Sequence, residues 1–305
     1  MEKHHPPIQA WKPLQLLTLI GVCGFKLLVL LPWPVLRILG RTLGLVFFYL
    51  IPIRRHIVLT NLRLAFPNLS EKERKELAKE HYRSAALGFF ETCRAWWCPV
   101  KDLPSYTLEG MENLHDSLKR GRGALMLSTH MTTLELCARM MVENHPFGAF
   151  YRDPNNPVIA NEMRKQRETR LSIAIHFDDL RGLVRALRGG HSMWYAPDQS
   201  KKTKFSEILP FFGEPAITNT ATSRIVQMGD CPIVPFVGFC KPDGTYKIII
   251  LPALENYPSE DPIADAIRIN HVMEDLIRNA PAQYLWLHKR YKARGPGYPE
   301  AYKKP

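Results

Sequence analysis

Two residues five positions apart, His130 and Glu135, stand out in the stretch Gly123-Ala124-Leu125-Met126-Leu127-Ser128-Thr129-His130-Met131-Thr132-Thr133-Leu134-Glu135. An imidazole titrates near neutral pH, so it can take a proton from a substrate hydroxyl and return it later. A neighbouring carboxylate that accepts a hydrogen bond from one ring nitrogen fixes the tautomer and raises the basicity of the other. That is one reading of Glu135. The plainer one is that Thr132-Thr133-Leu134-Glu135 fits the S/T-x-x-E capping box, where the glutamate only satisfies a free amide at a helix start. Spacing alone favours the cap. Ser128 as a nucleophile is the weaker idea, because the G-x-S-x-G elbow is absent.

The elements around this stretch decide what it can reach. Gly123 to Ser128 reads as a buried strand, and a helix begins at Thr132, which puts His130 at the strand's C-terminal edge. In open α/β sheets ligands bind in the crevice beyond those edges. Strands are also expected at Gly148 to Tyr151, Ser172 to Phe177 and Met193 to Ala196, with helices between them. One such helix, Asp179 to Arg188, stops at Gly189-Gly190. Ile233 to Phe239 and Tyr246 to Leu251 read as an antiparallel hairpin, and a last helix runs from Ile263 to about Asn279. Upstream, Ser70-Glu71-Lys72-Glu73 caps a helix that reaches about Trp97. The fold class is α/β, a central, mainly parallel mixed sheet flanked by helices.

Polar residues gather at several strand ends. Arg152 follows one strand directly, and Asn155-Asn156-Pro157 then offers a helix start with proline in its first turn. Free amides there and the Arg152 guanidinium suit an anionic group. Arg164 and Arg167, three apart on that helix, either extend this charge or form an ordinary solvated face. Asp198 sits past another strand end, suited to binding substrate or to orienting a basic group. A turn-forming aspartate reads equally well. Amides at the start of the Thr132 helix are the candidate oxyanion donors.

With 305 residues and 46% hydrophobic content the chain can bury a large core, and its net charge of +12 suits an acidic partner or an anionic surface. No nucleic-acid-binding signature accompanies the charge, so membrane is preferred to nucleic acid. Six scattered cysteines lack C-x-x-C spacing and read as thiols of a reducing compartment. No metal constellation is visible, since H-E-x-x-H is missing and His4-His5 is a lone pair, and no cofactor is called for.

Leu14 to Leu31 is apolar but short for a span, and a central Lys26 costs roughly 2.5–3.5 kcal/mol on insertion. Val35 to Ile51, followed by Arg54-Arg55-His56, suits a helix in the headgroup region. The expected organisation is therefore a membrane-anchoring helical segment over residues 1–56, spanning or interfacial, and a catalytic domain over residues 57–305.

The motif Ser-Thr-His130-x-x-x-x-Glu135 resembles the HX4(D/E) signature of the lysophospholipid acyltransferase superfamily. It is joined in order by Asn61-Leu62-x-Leu64-Ala65-Phe66-Pro67, Glu91-Thr92 ahead of Ala95-Trp96-Trp97, and Tyr151-Arg152 with Asn156-Pro157. Trp194-Tyr195-Ala196-Pro197-Asp198-Gln199 and Gln283-Tyr284-x-Trp286-Leu287-His288-Lys289-Arg290 complete the series. Together they resemble the late acyltransferases of lipid A biosynthesis, most closely the lauroyltransferase type. Glu135 and the Ala-Pro-Asp-Gln block, in place of aspartate and Phe-Pro-Glu-Gly, separate the chain from the glycerolipid branch.

The resemblance implies His130 as general base oriented by Glu135. It implies an acyl carrier protein thioester as donor and a diphosphorylated lipid A precursor as acceptor, bound by Arg152, Asn156, Arg164, Arg167, Asp198 and Arg290, with Arg167 in a substrate-phosphate role. It also implies a place at an anionic membrane surface, the cytoplasmic face of a bacterial inner membrane. A phosphatidylinositol mannoside acceptor and a serine-type lipid hydrolase are the competing readings.

Overall fold

The computed structural model describes residues 12–303. Four helices come first: α1 (Pro13–Leu28), α2 (Trp33–Leu50), α3 (Pro52–Ala65) and α4 (Glu71–Trp97). They are followed by β1 (Tyr106–Glu109), α5 (Met111–Leu118), β2 (Leu125–Leu127), α6 (Leu134–Val142), β3 (Phe147–Tyr151) and α7 (Pro157–Arg170). The alternation continues with β4 (Ala174–His176), α8 (Leu180–Arg188) and β5 (Ser192–Tyr195). A hairpin of β6 (Ser206–Phe211) and β7 (Glu214–Asn219) comes next, then α9 (Ala221–Gly229), β8 (Ile233–Cys240), β9 (Tyr246–Ile250) and α10 (Pro262–Arg278).

Seven strands form one sheet in the order β1-β9-β8-β2-β5-β3-β4, with only the β8/β9 pair antiparallel. The central strands are apolar at consecutive positions because both faces are covered. Alternation then divides them: Leu125 and Leu127 enter one core with Met193, Tyr195 and Ile233, while Ala124 and Met126 enter the other with Trp194 and Val234. The expected parallel sheet and terminal hairpin are present.

The β6/β7 hairpin was not expected from the sequence. Its two-residue turn is Phe212-Gly213, both at positive φ (53° and 76°), and a phenylalanine is a poor flag for a position that usually takes Asn, Asp or Gly. The short β1, paired in parallel with β9, was not marked either.

The N-terminal helices lie on the domain. α2 runs against α4 through Gly40 and Gly44, where an added Cβ would stand 2.9 Å from the Leu87 Cα and 2.2 Å from the Tyr82 carbonyl oxygen. α1 rests on α7: Asn156 donates to the Thr18 hydroxyl at 3.0 Å, and Lys26 pairs with Glu162 at 3.4 Å beneath the Trp97 ring. The lysine that looked costly for a span thus has a partner. α2 is long and apolar enough to cross a bilayer, and the outward faces of α1 and α2 carry exposed apolar side chains such as Leu17, Leu27, Ile38 and Leu50. Residue 56, the expected domain boundary, falls inside α3, whose Ile57, Val58 and Leu62 are buried. Four of the six cysteines are buried and Cys23 is exposed.

Candidate active site

Strand register brings the two central side chains together. Leu127 of β2 faces Tyr195 of β5 in parallel, and His130 and Asp198 each lie three residues beyond their member of that pair. Two parallel strands that stop at the same level send their following loops into the same crevice. There one Asp198 carboxylate oxygen sits 2.5 Å from Nδ1 of His130, and the other accepts the His130 backbone N–H at 2.9 Å. Asp198 thereby fixes both the ring and the loop that carries it.

The electrostatics of this pair follow from its burial. The Asp198 side chain is fully buried and the His130 side chain 24% exposed. For His130, burial alone would lower the pKa, but the Asp198 charge and hydrogen bond outweigh it and hold it above its ordinary value of 6.5. For Asp198, burial pushes up, yet His130 and the nearby Arg290 guanidinium keep the carboxyl below 3.8. The Tyr284 hydroxyl lies close by, kept protonated by burial and by the Asp198 charge. An ionised Asp198 holds the ring proton on Nδ1, so Nε2 keeps the lone pair a general base needs.

Neither expectation for Glu135 matches the structure. Its Oε1 accepts from Arg167 at 2.7 Å and its Oε2 from the Trp96 indole at 3.0 Å, while His130 Nδ1 belongs to Asp198. The capping box is also absent: α6 starts at Leu134 with Thr133 as N-cap, and the Thr133 hydroxyl donates to the Gly238 carbonyl at 2.7 Å. Glu135 instead anchors Arg167, whose guanidinium stacks 4.6 Å from the Tyr151 ring centre. Arg167 is near enough for its charge to oppose protonation of His130. The glutamate therefore bears on the histidine through an arginine.

The remaining candidates separate into those at the site and those built into the frame. Arg152 is exposed at the end of β3, its guanidinium 5.3 Å from the Phe177 ring centre, with the Lys201 ammonium 4.1 Å from the same ring. Arg164 faces Asp153 at 3.6 Å and is partly exposed. Asn156 caps α7, accepting from the amides of Val158 and Ile159, which with its bond to Thr18 leaves it a scaffold role. Arg290 is 1% exposed and binds the Ile217 carbonyl and the Ser200 and Thr218 hydroxyls, so it is a buried strut behind Asp198 and not a phosphate contact. Of the amides proposed for an oxyanion, two are committed: Thr132 N–H donates to the Gln283 carbonyl and Leu134 N–H to the Met131 carbonyl. Ser128 is 3% exposed.

A narrow apolar pocket opens beside the pair. The core side chains Trp96, Phe147 and Trp194 line it with the partly buried Leu171, and Glu135, Arg139, Arg167 and Arg170 supply its charged wall. The Trp194 ring also meets His130 edge-on with centres 5.6 Å apart.

Sequence reasoning missed the strap that holds the histidine loop from behind. Leu285 N–H donates to the His130 carbonyl at 3.0 Å, Met131 bridges to Tyr284, and Gln283 bonds both the N–H and the carbonyl of Cys240. In the motif Gln283-Tyr284-x-Trp286 and its basic neighbours, charge points to Arg290 and says nothing of the strap. Its alternation of a polar residue with buried aromatics was the available signal.

The chain is similar throughout its length to proteins of known activity. The model for bacterial lipid A biosynthesis acyltransferases matches residues 8–293. A lipid A biosynthesis lauroyltransferase of Escherichia coli is 37% identical over 289 residues, 94% of each chain, and a palmitoleoyltransferase of the same organism is 33% identical over the same span. A lipid A biosynthesis acyltransferase of Haemophilus influenzae is 30% identical, covering 90% of each chain. With that extent of match and the histidine-aspartate pair at the rim of its sheet, the chain belongs to the bacterial lipid A biosynthesis acyltransferase family.

Proposed function

We propose that this enzyme transfers a fatty acyl chain, of lauroyl type, from an acyl carrier protein thioester to a hydroxyl of a lipid A precursor bearing keto-deoxy-octulosonate. The observation that carries the mechanism is the Asp198–His130 pair beside an apolar pocket. His130 Nε2 removes the proton from the acceptor hydroxyl, whose oxygen attacks the thioester carbonyl. The tetrahedral intermediate collapses by expelling the carrier thiolate, which takes the proton back from the imidazolium. The ester C–O bond forms and the C–S bond breaks, with no protein nucleophile.

Base catalysis of this kind contributes about 10²–10⁴-fold, so charge stabilisation must supply much of the rest. Arg167, held by Glu135 at the pocket's edge, is the residue we assign to the developing oxyanion or to an acceptor phosphate. Arg152 and Arg164 face the anionic headgroup, and the pocket lined by Trp96, Leu134 and Phe147 takes the end of the donor chain after side-chain adjustment. The exposed apolar faces of α1 and α2 and the net charge of +12 support work at an anionic membrane, the cytoplasmic leaflet of the inner membrane. Ser128, 3% exposed and without the G-x-S-x-G elbow, argues against the serine-hydrolase reading.

The test is an acyl-transfer assay with purified precursor and carrier thioesters of several chain lengths, comparing wild type with His130→Ala, Asp198→Asn and Glu135→Ala. Loss of turnover in the first two, without a trapped acyl-enzyme, is expected. Full activity of His130→Ala, or acylation of a phosphatidylinositol mannoside in place of the precursor, would overturn the reading.

A further inference from the structure

A second, wider groove lies between the N-terminal helices, α4 and the strap at residues 285–288. Phe25 of α1 and Phe89 of α4, edge to face at 4.4 Å between ring centres, form part of one wall, and Leu43 and Phe47 of α2 also line it. Ala85 and Ala86 keep α4 low between them, so the groove has about 730 Å³ of room, within the roughly 300–1,000 Å³ common for ligand sites. At its inner end are Leu285 and Leu287, and Leu285 is the residue hydrogen bonded to the His130 carbonyl. Among the described residues that line it, Arg54, whose guanidinium faces the Leu287 carbonyl at 3.5 Å, is the only arginine or lysine, and none is acidic. Its outer wall belongs to the helices whose other side chains, among them Leu50 and Ile53, stand exposed.

These features define the occupant: a lipid with several hydrocarbon chains and an anionic headgroup, entering sideways from a bilayer. We infer that this groove between α1, α2 and α4 seats acyl chains of the phosphorylated lipid acceptor, with its anionic headgroup toward Arg54 and its hydroxyl delivered to His130. The inference rests on the acyl-transfer reading and adds to it a division of labour. The narrow pocket at Trp96 takes the end of the single donor chain, and the wide groove takes the chains already on the acceptor. Trp96 lies seven residues beyond Phe89 on α4, about 10 Å along the helix, so the two chain sites need not overlap.

Two measurements decide it. In the first, wild-type full-length protein is photolabelled with an acceptor carrying a diazirine at the end of one acyl chain, and labelled peptides are mapped. Labelling within residues 82–90 and 285–288, suppressed by unlabelled acceptor but not by excess bilayer phospholipid, is expected. Labelling confined to residues 134–142 and 166–171, or equal suppression by phospholipid, would overturn the assignment.

In the second, Ala86→Trp fills the groove. The acceptor KM should rise about tenfold while the donor KM stays within about twofold. A rise in the donor KM with none for the acceptor contradicts the inference, as does no change in either. If Ala86→Trp does not fold, the wild-type labelling still decides. Absence of wild-type transfer to any lipid acceptor would instead reject the underlying activity, so the two failures are distinct.

Discussion

His130 must be neutral to accept a proton, and Asp198 makes that harder while making the neutral ring a stronger base. Because the pair holds the imidazole pKa above 6.5, the acid limb of kcat/KM should fall above that value. In Asp198→Asn the limb should move to lower pH and kcat should drop about 10²–10⁴-fold, read from a pH series on both proteins. Glu135→Gln should leave the limb near its wild-type position while lowering kcat through Arg167, because the glutamate touches the arginine and not the ring. Equal displacement of the limb by both variants would show the assignment to be mistaken. Stability follows the same pair with opposite signs at the two ends. The His130 contribution is full below pH 6.5 and lost as pH rises through its raised pKa, whereas that of Asp198 is present above 3.8 and lost as pH falls through its lowered pKa. Sequence spacing pointed to Glu135 because it is near in the chain. The actual partner comes from a neighbouring strand 68 positions away, which only register reveals.

Helices and strands were largely readable because their signals are local. The capping box at Ser70 and Glu73 is present, and α7, α8 and α10 start within a residue or two of where their caps place them. What the pattern could not show was how helices meet. Gly40 and Gly44 are the points where α2 touches the α4 backbone. Gly44→Ala should therefore destabilise the protein by about 1–3 kcal/mol and loosen α2, read by thermal melting and limited proteolysis. Gly24→Ala in α1, where an added Cβ meets nothing within 4 Å, should not. Arg290 was likewise legible as a charge but not as a strut. Arg290→Met removes the guanidinium bonds to the Ile217 carbonyl and to the Ser200 and Thr218 hydroxyls, which keep other partners, and should cost about 2–4 kcal/mol, a loss seen in melting with or without lipid.

Net charge and exposed apolar helices are properties of the entire chain. A surplus of 12 positive charges predicts that both vesicle binding and the apparent affinity for an acidic carrier protein weaken with salt, several-fold between about 50 and 200 mM. Flotation with anionic and neutral vesicles, and donor KM across that range, would check it. Indifference to salt would leave apolar contact as the sole attraction.

The bonds from Gln283 and Leu285 to the loop at residues 130–132 tie the histidine to chain made some 150 residues later. During synthesis the greasy leading helices emerge first and can settle on a membrane while the reactive loop still lacks its backing. A ribosome-tethered chain halted before residue 283 should sit on lipid yet be chemically silent, so competence arrives only once nearly the whole polypeptide is out.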